Sequence, residues 1–240
     1  MKTIGLVGGT GWISSAEYYR IINEETNRRS GGLTFSKCIL YSVNYGEIDA
    51  FNRQNDMEGV YNLILDAVLK LAGAGADCIV LCANTLHRFF DRLALETDIP
   101  FIHIADAVGT EIRRKKMSRV GLLGTKQTME MDFYKSRLKL MDIDVLTPGL
   151  SDRDFIQKVI SDELLRGIIS DASKYRFIRI CRELYLGGAE GIVLGCTEIP
   201  LLLKQEDINI PIINSLTLHA IAAVDHALDG CDPGSQQIII

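Results

Sequence analysis

The sequence predicts an α/β protein of two pseudo-symmetric domains, each built on a parallel sheet and related to the other by internal duplication. Three observations predict it. First, the 240-residue chain repeats itself: Gly75-Ala76-Asp77-Cys78-Ile79-Val80-Leu81 aligns with Gly188-Ala189-Glu190-Gly191-Ile192-Val193-Leu194 at a constant offset (188 − 75 = 113). Ile4-Gly5-Leu6-Val7-Gly8 aligns with Val120-Gly121-Leu122-Leu123-Gly124, and Tyr18 with Tyr134. Ile99-Pro100-Phe101-Ile102-His103 aligns with Ile210-Pro211-Ile212-Ile213-Asn214, in the same order and at nearly the same offset. Such a period exceeds the roughly 20–50 residues of a solenoid repeat and matches a small domain. Second, short apolar runs alternate with longer helical segments, the pattern of a parallel sheet covered on both faces. Third, the runs end in small and polar residues, at the strand ends where such sheets bind ligands.

The elements follow in order. Strands are expected at about 3–7, 37–43, 78–82, 100–103, 119–123, 143–146, 191–195 and 210–213. Helices are expected near 14–29, 56–73, 86–93, 105–117, 128–141, 152–168, 171–187 and 215–229. The first strand closes on Gly8-Gly9-Thr10-Gly11, with Ser14 and Ser15 at the following helix start. Its repeat mate is Gly124-Thr125, with Thr128 opening the next helix. The first domain is expected over 1–104, with the last helix, 214–230, packing back onto it. The second covers 105–213, and 231–240 reads as a tail with an apolar Ile238-Ile239-Ile240 end. A cleft between the two domains, lined by strand tips, is the expected binding site.

Composition narrows the function. Apolar content of 47% and charged content of 24% are ordinary for a globular chain. A net charge of −5 provides no electrostatic reason to expect nucleic acid. The basic run Arg113-Arg114-Lys115-Lys116 reads as a solvated helix C-terminus that favours the helix dipole. No stretch reaches the roughly 20 apolar residues of a membrane span. Met1-Lys2-Thr3-Ile4 enters a strand without a signal-peptide apolar region, and six cysteines lack a spaced framework. Together these predict a cytoplasmic protein with reduced thiols.

The repeat isolates the chemistry. Ala83-Asn84-Thr85 stands opposite Cys196-Thr197-Glu198, so two equivalent strand tips carry unequal groups. Cys196 is the catalytic candidate, because a helix N-terminus can lower a thiol pKa from its usual 8.5 or so. Side chains alternate along a strand, so Cys82 points away from the cleft if Ala83 points into it. Cys78 and Cys82 lack a second ligand pair, which argues against zinc. The glycine loop lets backbone approach a ligand, and the helix start behind it favours an anion. Its spacing is neither a Rossmann fingerprint nor a P-loop. Small hydroxyls and amides on both sides of a cleft suit a small carboxylate ligand.

Four segments carry a resemblance. Gly8-Gly9-Thr10-Gly11-Trp12, Asn84-Thr85-Leu86-His87, Gly121-Leu122-Leu123-Gly124-Thr125 and Gly195-Cys196-Thr197-Glu198 resemble the aspartate/glutamate racemase family over roughly residues 1–228. Ala105-Asp106 and Met129-Glu130-Met131-Asp132-Phe133-Tyr134 resemble its broad or L-aspartate/glutamate-type branch. The resemblance implies a cofactor-independent amino-acid racemase with no metal, working on a small amino acid or carboxylate as a homodimer. Two acid/base groups on opposite faces of Cα would move the proton. Carried over, Cys196 is one of them, and Ala83 occupies the position of the lost other, with Cys82 as a possible replacement. Gly9, Thr10, Arg53, Asn84, Thr85, Thr125, Thr128, Thr197 and Glu198 become substrate contacts, Arg53 as partner of a side-chain carboxylate. The family's lysine after an Arg-Gly pair is missing, since Arg166-Gly167 leads into Ile168-Ile169. The altered tip leaves other readings open: a one-cysteine decarboxylase of arylmalonate type, maleate isomerase-like chemistry, an impaired or engineered variant, or an amino-acid binder.

Overall fold

Each half of the chain folds around its own four-stranded parallel sheet in a computed structural model that describes residues 1–230. The expected tail at 231–240, with Cys231, lies outside the described residues. In the first half β1 (Ile4–Gly8) is followed by helix α1 (Trp12–Ser30), then β2 (Cys38–Ser42), α2 (Tyr45–Arg53) and α3 (Met57–Gly73). After β3 (Cys78–Leu81) come a 3₁₀ turn (Asn84–Phe89), α4 (Phe90–Leu93) and β4 (Phe101–Ile102). The second half opens with α5 (Ile104–Arg114), β5 (Arg119–Gly124), α6 (Lys126–Glu130), α7 (Asp132–Lys139) and β6 (Asp144–Leu146). It closes with α8 (Leu150–Asp162), α9 (Asp171–Leu186), β7 (Ile192–Gly195), α10 (Ile199–Leu202), β8 (Ile212–Asn214) and α11 (Ser215–Leu228). The strand orders are β2-β1-β3-β4 and β6-β5-β7-β8, the same order in both sheets.

The duplication extends to the way strands are tied. The Asp77 carboxylate accepts from the Thr3 backbone N–H at 2.6 Å; its repeat mate Glu190 accepts from Ser118 and Arg119 at 2.6 and 2.9 Å. His103 and Asn214, matched by the repeat, cap equivalent helices: His103 Nδ1 accepts from the Ala105 N–H and Asn214 Oδ1 from that of Thr217. Each cap satisfies an N–H that the helix itself cannot.

The central strands are buried on both faces, which is why they read as unbroken apolar runs. The first sheet packs one face on α3, through Val7, Ile79 and Leu81 against Val60, Ile64 and Val68. Its other face packs on α1 and α11, where Ile4, Leu6 and Val80 meet Tyr18, Ile22, Leu216, Ala220 and Val224. The last helix therefore contributes to the core of the first sheet. In the second half α8 and α9 cover one face and α5 and α7 the other.

Three expected helices differ in detail. The segment expected as one helix over 128–141 breaks at Met131, whose extended backbone (φ −75°, ψ 158°) separates α6 from α7. The helix expected to 168 ends at Asp162, and a 3₁₀ turn stops at Gly167 in the left-handed region (φ 72°). The helix expected over 86–93 is mostly 3₁₀. Helices α2 and α10 were not anticipated. No helix among the described residues is long and apolar enough to cross a membrane.

Candidate active site

The two repeated tips meet in one cavity of about 540 Å³. Ala83, Asn84 and Thr85 line it from the end of β3; Cys196, Thr197 and Glu198 line it from the end of β7. Thr10 follows β1, and Thr125 follows β5. All four are C-terminal strand ends, where backbone polar groups no longer paired in the sheet become available to a ligand. Helix α2 adds Tyr45, Ile48, Asp49 and Asn52 to the first wall; α6 and α8 add Gln127, Glu130 and Gln157 to the second.

Hydroxyls bind the two walls together. Thr85 Oγ1 and Thr125 Oγ1 are hydrogen-bonded at 3.0 Å, and Thr125 is bonded in turn to Thr128 Oγ1 at 2.9 Å. Ser215 donates to the Leu194 carbonyl at 2.6 Å, so its oxygen accepts from Asn84 Nδ2 at 3.1 Å. That chain orients the Asn84 amide and leaves its Oδ1 buried without a donor. Behind the first tip, His87 Nδ1–H donates to the Ala83 carbonyl and Nε2 accepts from the Ile104 N–H. His219 Nε2–H donates to the Ile102 carbonyl and Nδ1 accepts from Tyr18. With His103 beside them, these rings form a buried cluster that is neutral by its own bonding pattern.

Glu198 is the centre of the second tip. Ser14 of α1 donates to its Oε1 at 2.6 Å; Thr197 Oγ1 and Cys196 Sγ donate to Oε2 at 3.0 and 3.1 Å. The carboxylate thus crosses from the second half to the helix start of the first. The anion expected behind the glycine loop is supplied by the protein itself. Gly11 is what admits it: a Cβ there would lie 2.0 Å from Glu198 Oε1. A Gly11→Ala substitution is therefore expected to push the carboxylate off Cys196. It should lower turnover by about tenfold or more, as partial loss of an acid–base group, and lower Tm by a few degrees as buried hydroxyls lose their acceptor. Unchanged turnover would show that Glu198 does not act through Cys196.

The thiol does not behave as its position alone suggests. Burial raises the Cys196 pKa well above the ordinary thiol value, and the Glu198 carboxylate raises it further. Backbone hydrogen bonds at Glu198 and Ile199 oppose this without reversing it. Desolvation wins over the expected lowering by a helix start, so the resting group is the thiol.

Four expected contacts are corrected by their surroundings. Cys82 is buried on the opposite face of β3 among Tyr18, Leu216 and Ala220, donates weakly to the Val80 carbonyl, and has its pKa pushed up by burial. It is a core residue, as strand alternation dictates. Arg53 does not line the cavity; its side chain is 79% exposed and ion-paired with Asp49 at 2.5 Å. Thr128 is fully buried and its hydroxyl engages Thr125. Gly9 is buried, with its N–H taken by Ser15 Oγ at 2.8 Å. Its left-handed backbone (φ 93°) and a Cβ position 2.1 Å from the Val43 carbonyl make it a turn residue. Ser14, Tyr45, Arg88 and Gln127 were missed as cavity or tip residues. Only Ser14 had left a signal, as a hydroxyl at a helix start.

No group of three or more His, Cys, Asp or Glu among the described residues is placed to hold a metal ion. Every described cysteine is free.

Two like parallel-sheet halves with opposed tips in one cleft define a class of duplicated α/β enzymes, and comparison with known proteins identifies which. The model of the Asp/Glu/hydantoin racemase family matches residues 7–223. A Yersinia pestis structure provisionally described as an Asp/Glu racemase is 40% identical, with a TM-score of 0.88 over 95% of this chain and 100% of that one. An aspartate racemase homologue from Pyrococcus horikoshii is 33% identical, with a TM-score of 0.81 over 95% and 99% of the two chains. A broad specificity amino-acid racemase of Bacillus subtilis is 26% identical over 88% of this chain and 92% of its own length. The chain belongs to the Asp/Glu/hydantoin racemase family and is an enzyme of the isomerase class.

Proposed function

We propose that this chain acts as a cofactor-independent amino-acid racemase in which Cys196 is the one acid/base group at Cα and position 83 has none. The carrying observation is the pair of opposed tips. Both Ala83 and Cys196 line the same cavity, and Cys196 is hydrogen-bonded to Glu198 at 3.1 Å. Removing a Cα proton leaves a planar carbanion whose charge spreads onto the α-carboxylate, so the site needs donors for that carboxylate and a proton carrier on each face. Thr10, Thr85 and Thr125 supply hydroxyls around the cavity, whereas the one hydroxyl proton of Thr197 is held by Glu198. The unpartnered Oδ1 of Asn84 suits the α-ammonium, which has three donors to offer.

The protonated thiol sets the order of events. Cys196 first gives its proton to Glu198, and the thiolate then takes the proton from Cα. Return of a proton from Sγ regenerates the same isomer. Inversion requires a proton at the Ala83 face, where the tip carries only a methyl group, so solvent water must supply it while the abstracted proton stays on Sγ. The reading therefore predicts Cα exchange that outpaces racemisation.

Proton NMR in D₂O, with L- and D-isomers of aspartate and glutamate supplied separately and a chiral assay alongside, tests this. Loss of the Cα–H signal with slower appearance of the opposite isomer supports it. Absence of exchange with every amino acid offered would overturn it. Ala83→Cys is expected to raise the inversion rate by about tenfold or more, since each acid/base group contributes on the order of 10²–10⁴. Unchanged inversion would mean that position 83 does not face Cα.

The methyl group at position 83 also favours a second reading, a one-cysteine decarboxylase of arylmalonate type. Cys196 would then protonate the carbanion left by CO₂. Release of CO₂ from a substituted malonate without amino-acid exchange would favour that reading over the first.

A further inference from the structure

Two cations line the cavity, Lys126 and Arg88. Lys126 is ion-paired with Asp154 at 2.6 Å. Arg88 has no carboxylate within ion-pair reach among the described residues, and its one hydrogen bond runs from Nη1 to Gln127 Oε1 at 2.5 Å. Its Nε is buried without a partner. Burial alone pulls its pKa below the ordinary guanidinium value, with no neighbouring charge to offset it. The guanidinium lies over the Phe89 ring, 4.5 Å from its centroid, a contact that offsets part of its burial but supplies no anion. A planar five-donor fork desolvated without an anion is a costly arrangement unless something supplies one.

This fork lines the same cavity as the two tips. Thr85 and Arg88 lie three residues apart in the 3₁₀ segment Asn84–Phe89, where residues i and i+3 eclipse on one face about 6 Å apart. Both reach across to the second half, Thr85 to Thr125 and Arg88 to Gln127. Thr85 is two residues past Ala83, at the tip. The two carboxyl carbons of a four- or five-carbon dicarboxylic amino acid are separated by about 4–5 Å at ordinary bond lengths. A ligand of that length, with one carboxylate at the threonines, is long enough to offer the other to an arginine that lines the same cavity.

We propose that Arg88 is the specificity residue of this cleft, binding the side-chain carboxylate of an acidic amino acid in place of the exposed Arg53. The assignment rests on the racemase reading for its substrate, and on the geometry of Arg88 for its selectivity. The opposing possibility is a larger neutral side chain against the apolar wall of Ile48, Val60, Leu86, Ile160 and Leu165.

The test compares acids with their amides: aspartate with asparagine, and glutamate with glutamine. Both Cα exchange and equilibrium binding by calorimetry are measured in the unmodified protein, Arg88→Gln and Arg88→Lys. The unmodified protein should favour acid over amide by about 100-fold or more, below the roughly 10⁴–10⁵-fold of a site left fully unpaired, because the amide oxygen still accepts from the fork. Arg88→Gln should bring the ratio near one, while Arg88→Lys should keep part of it as a point charge without the fork. Absence of an acid preference in the unmodified protein overturns the proposal, as does an equal loss for acid and amide in Arg88→Gln, which would mark a structural tie to Gln127. Selective acid binding without any exchange would leave Arg88 in this role and overturn the racemase reading instead.

Discussion

Replacement of Cys196 by alanine is expected to abolish Cα exchange, a fall of about 10²–10⁴-fold or more for loss of the one acid/base group at the reacting carbon. The size of the effect follows from what surrounds Sγ. At the second tip Glu198 Oε2 already holds the thiol proton's hydrogen bond, and its other oxygen is bound by Ser14. With Sγ gone, the carboxylate remains tied to Ser14 and Thr197 rather than free to replace the thiolate. The fold should survive, because the change removes one small atom from a residue whose neighbours Leu194 and Ile199 keep their packing. Exchange assays paired with a thermal melt separate the two effects. Exchange at the original rate in a folded Cys196→Ala protein would remove Cys196 from the chemistry.

The second large effect is on stability at mildly acidic pH. His87, His103 and His219 are held neutral in the core, and burial is the largest cause for each. Facing charges add to it: His103 acts on His87, Arg137 and His219 on His103, and His87 on His219. His103 and His219 are brought down to about 3, and His87 is also lowered well below its ordinary value. Folded values below the unfolded value near 6.5 mean that the unfolded chain takes up protons first as pH falls. The stabilisation is whole above about pH 6.5 and drains continuously towards pH 3.

Between about pH 6.5 and pH 5 His103 and His219 each cost about 2 kcal/mol, or about 4 kcal/mol together, and His87 acts in the same direction. That is a large share of the whole stability of many proteins, about 5–15 kcal/mol. Most carboxylates titrate below this window, so the histidines dominate it. A Tm drop of roughly 10–20 °C is expected between pH 7 and pH 5. His103→Asn preserves a helix-capping side chain while removing one titrating ring, so it should flatten the slope by about a third. An unchanged slope would show that His103 does not titrate on unfolding.

Much of this architecture was legible because buried parallel strands advertise themselves. Each of the eight expected strands lies within two residues of an observed one at both ends, from Ile4–Gly8 to Ile212–Asn214. Continuous apolar runs bounded by glycine or proline leave few alternatives. Helix α2 was invisible for the opposite reason. It spans only nine residues and fully buries only Ile48, so its stripe of Tyr45, Ile48 and Phe51 is too short to stand out from a loop. The same helix carries Tyr45, Asp49 and Asn52 into the cleft, and those residues were lost with it.

The amino-acid sequence by itself determined the duplication, the parallel sheets, the opposed tips at residues 83 and 196, and the outward turn of Cys82 from the cleft. All of these follow from local periodicity and from comparison of the chain with itself, and neither needs a third dimension. Only the tertiary structure decided the state of the groups at those tips. Ser14 and Glu198 are 184 residues apart yet share a hydrogen bond, and Arg88 meets Gln127 only when the two halves close on each other. A protonated Cys196, an Arg53 outside the cleft and an Arg88 without a carboxylate partner are consequences of desolvation and of long-range neighbours. A single residue in sequence carries no record of how much water folding will remove from it or which charges will be brought near.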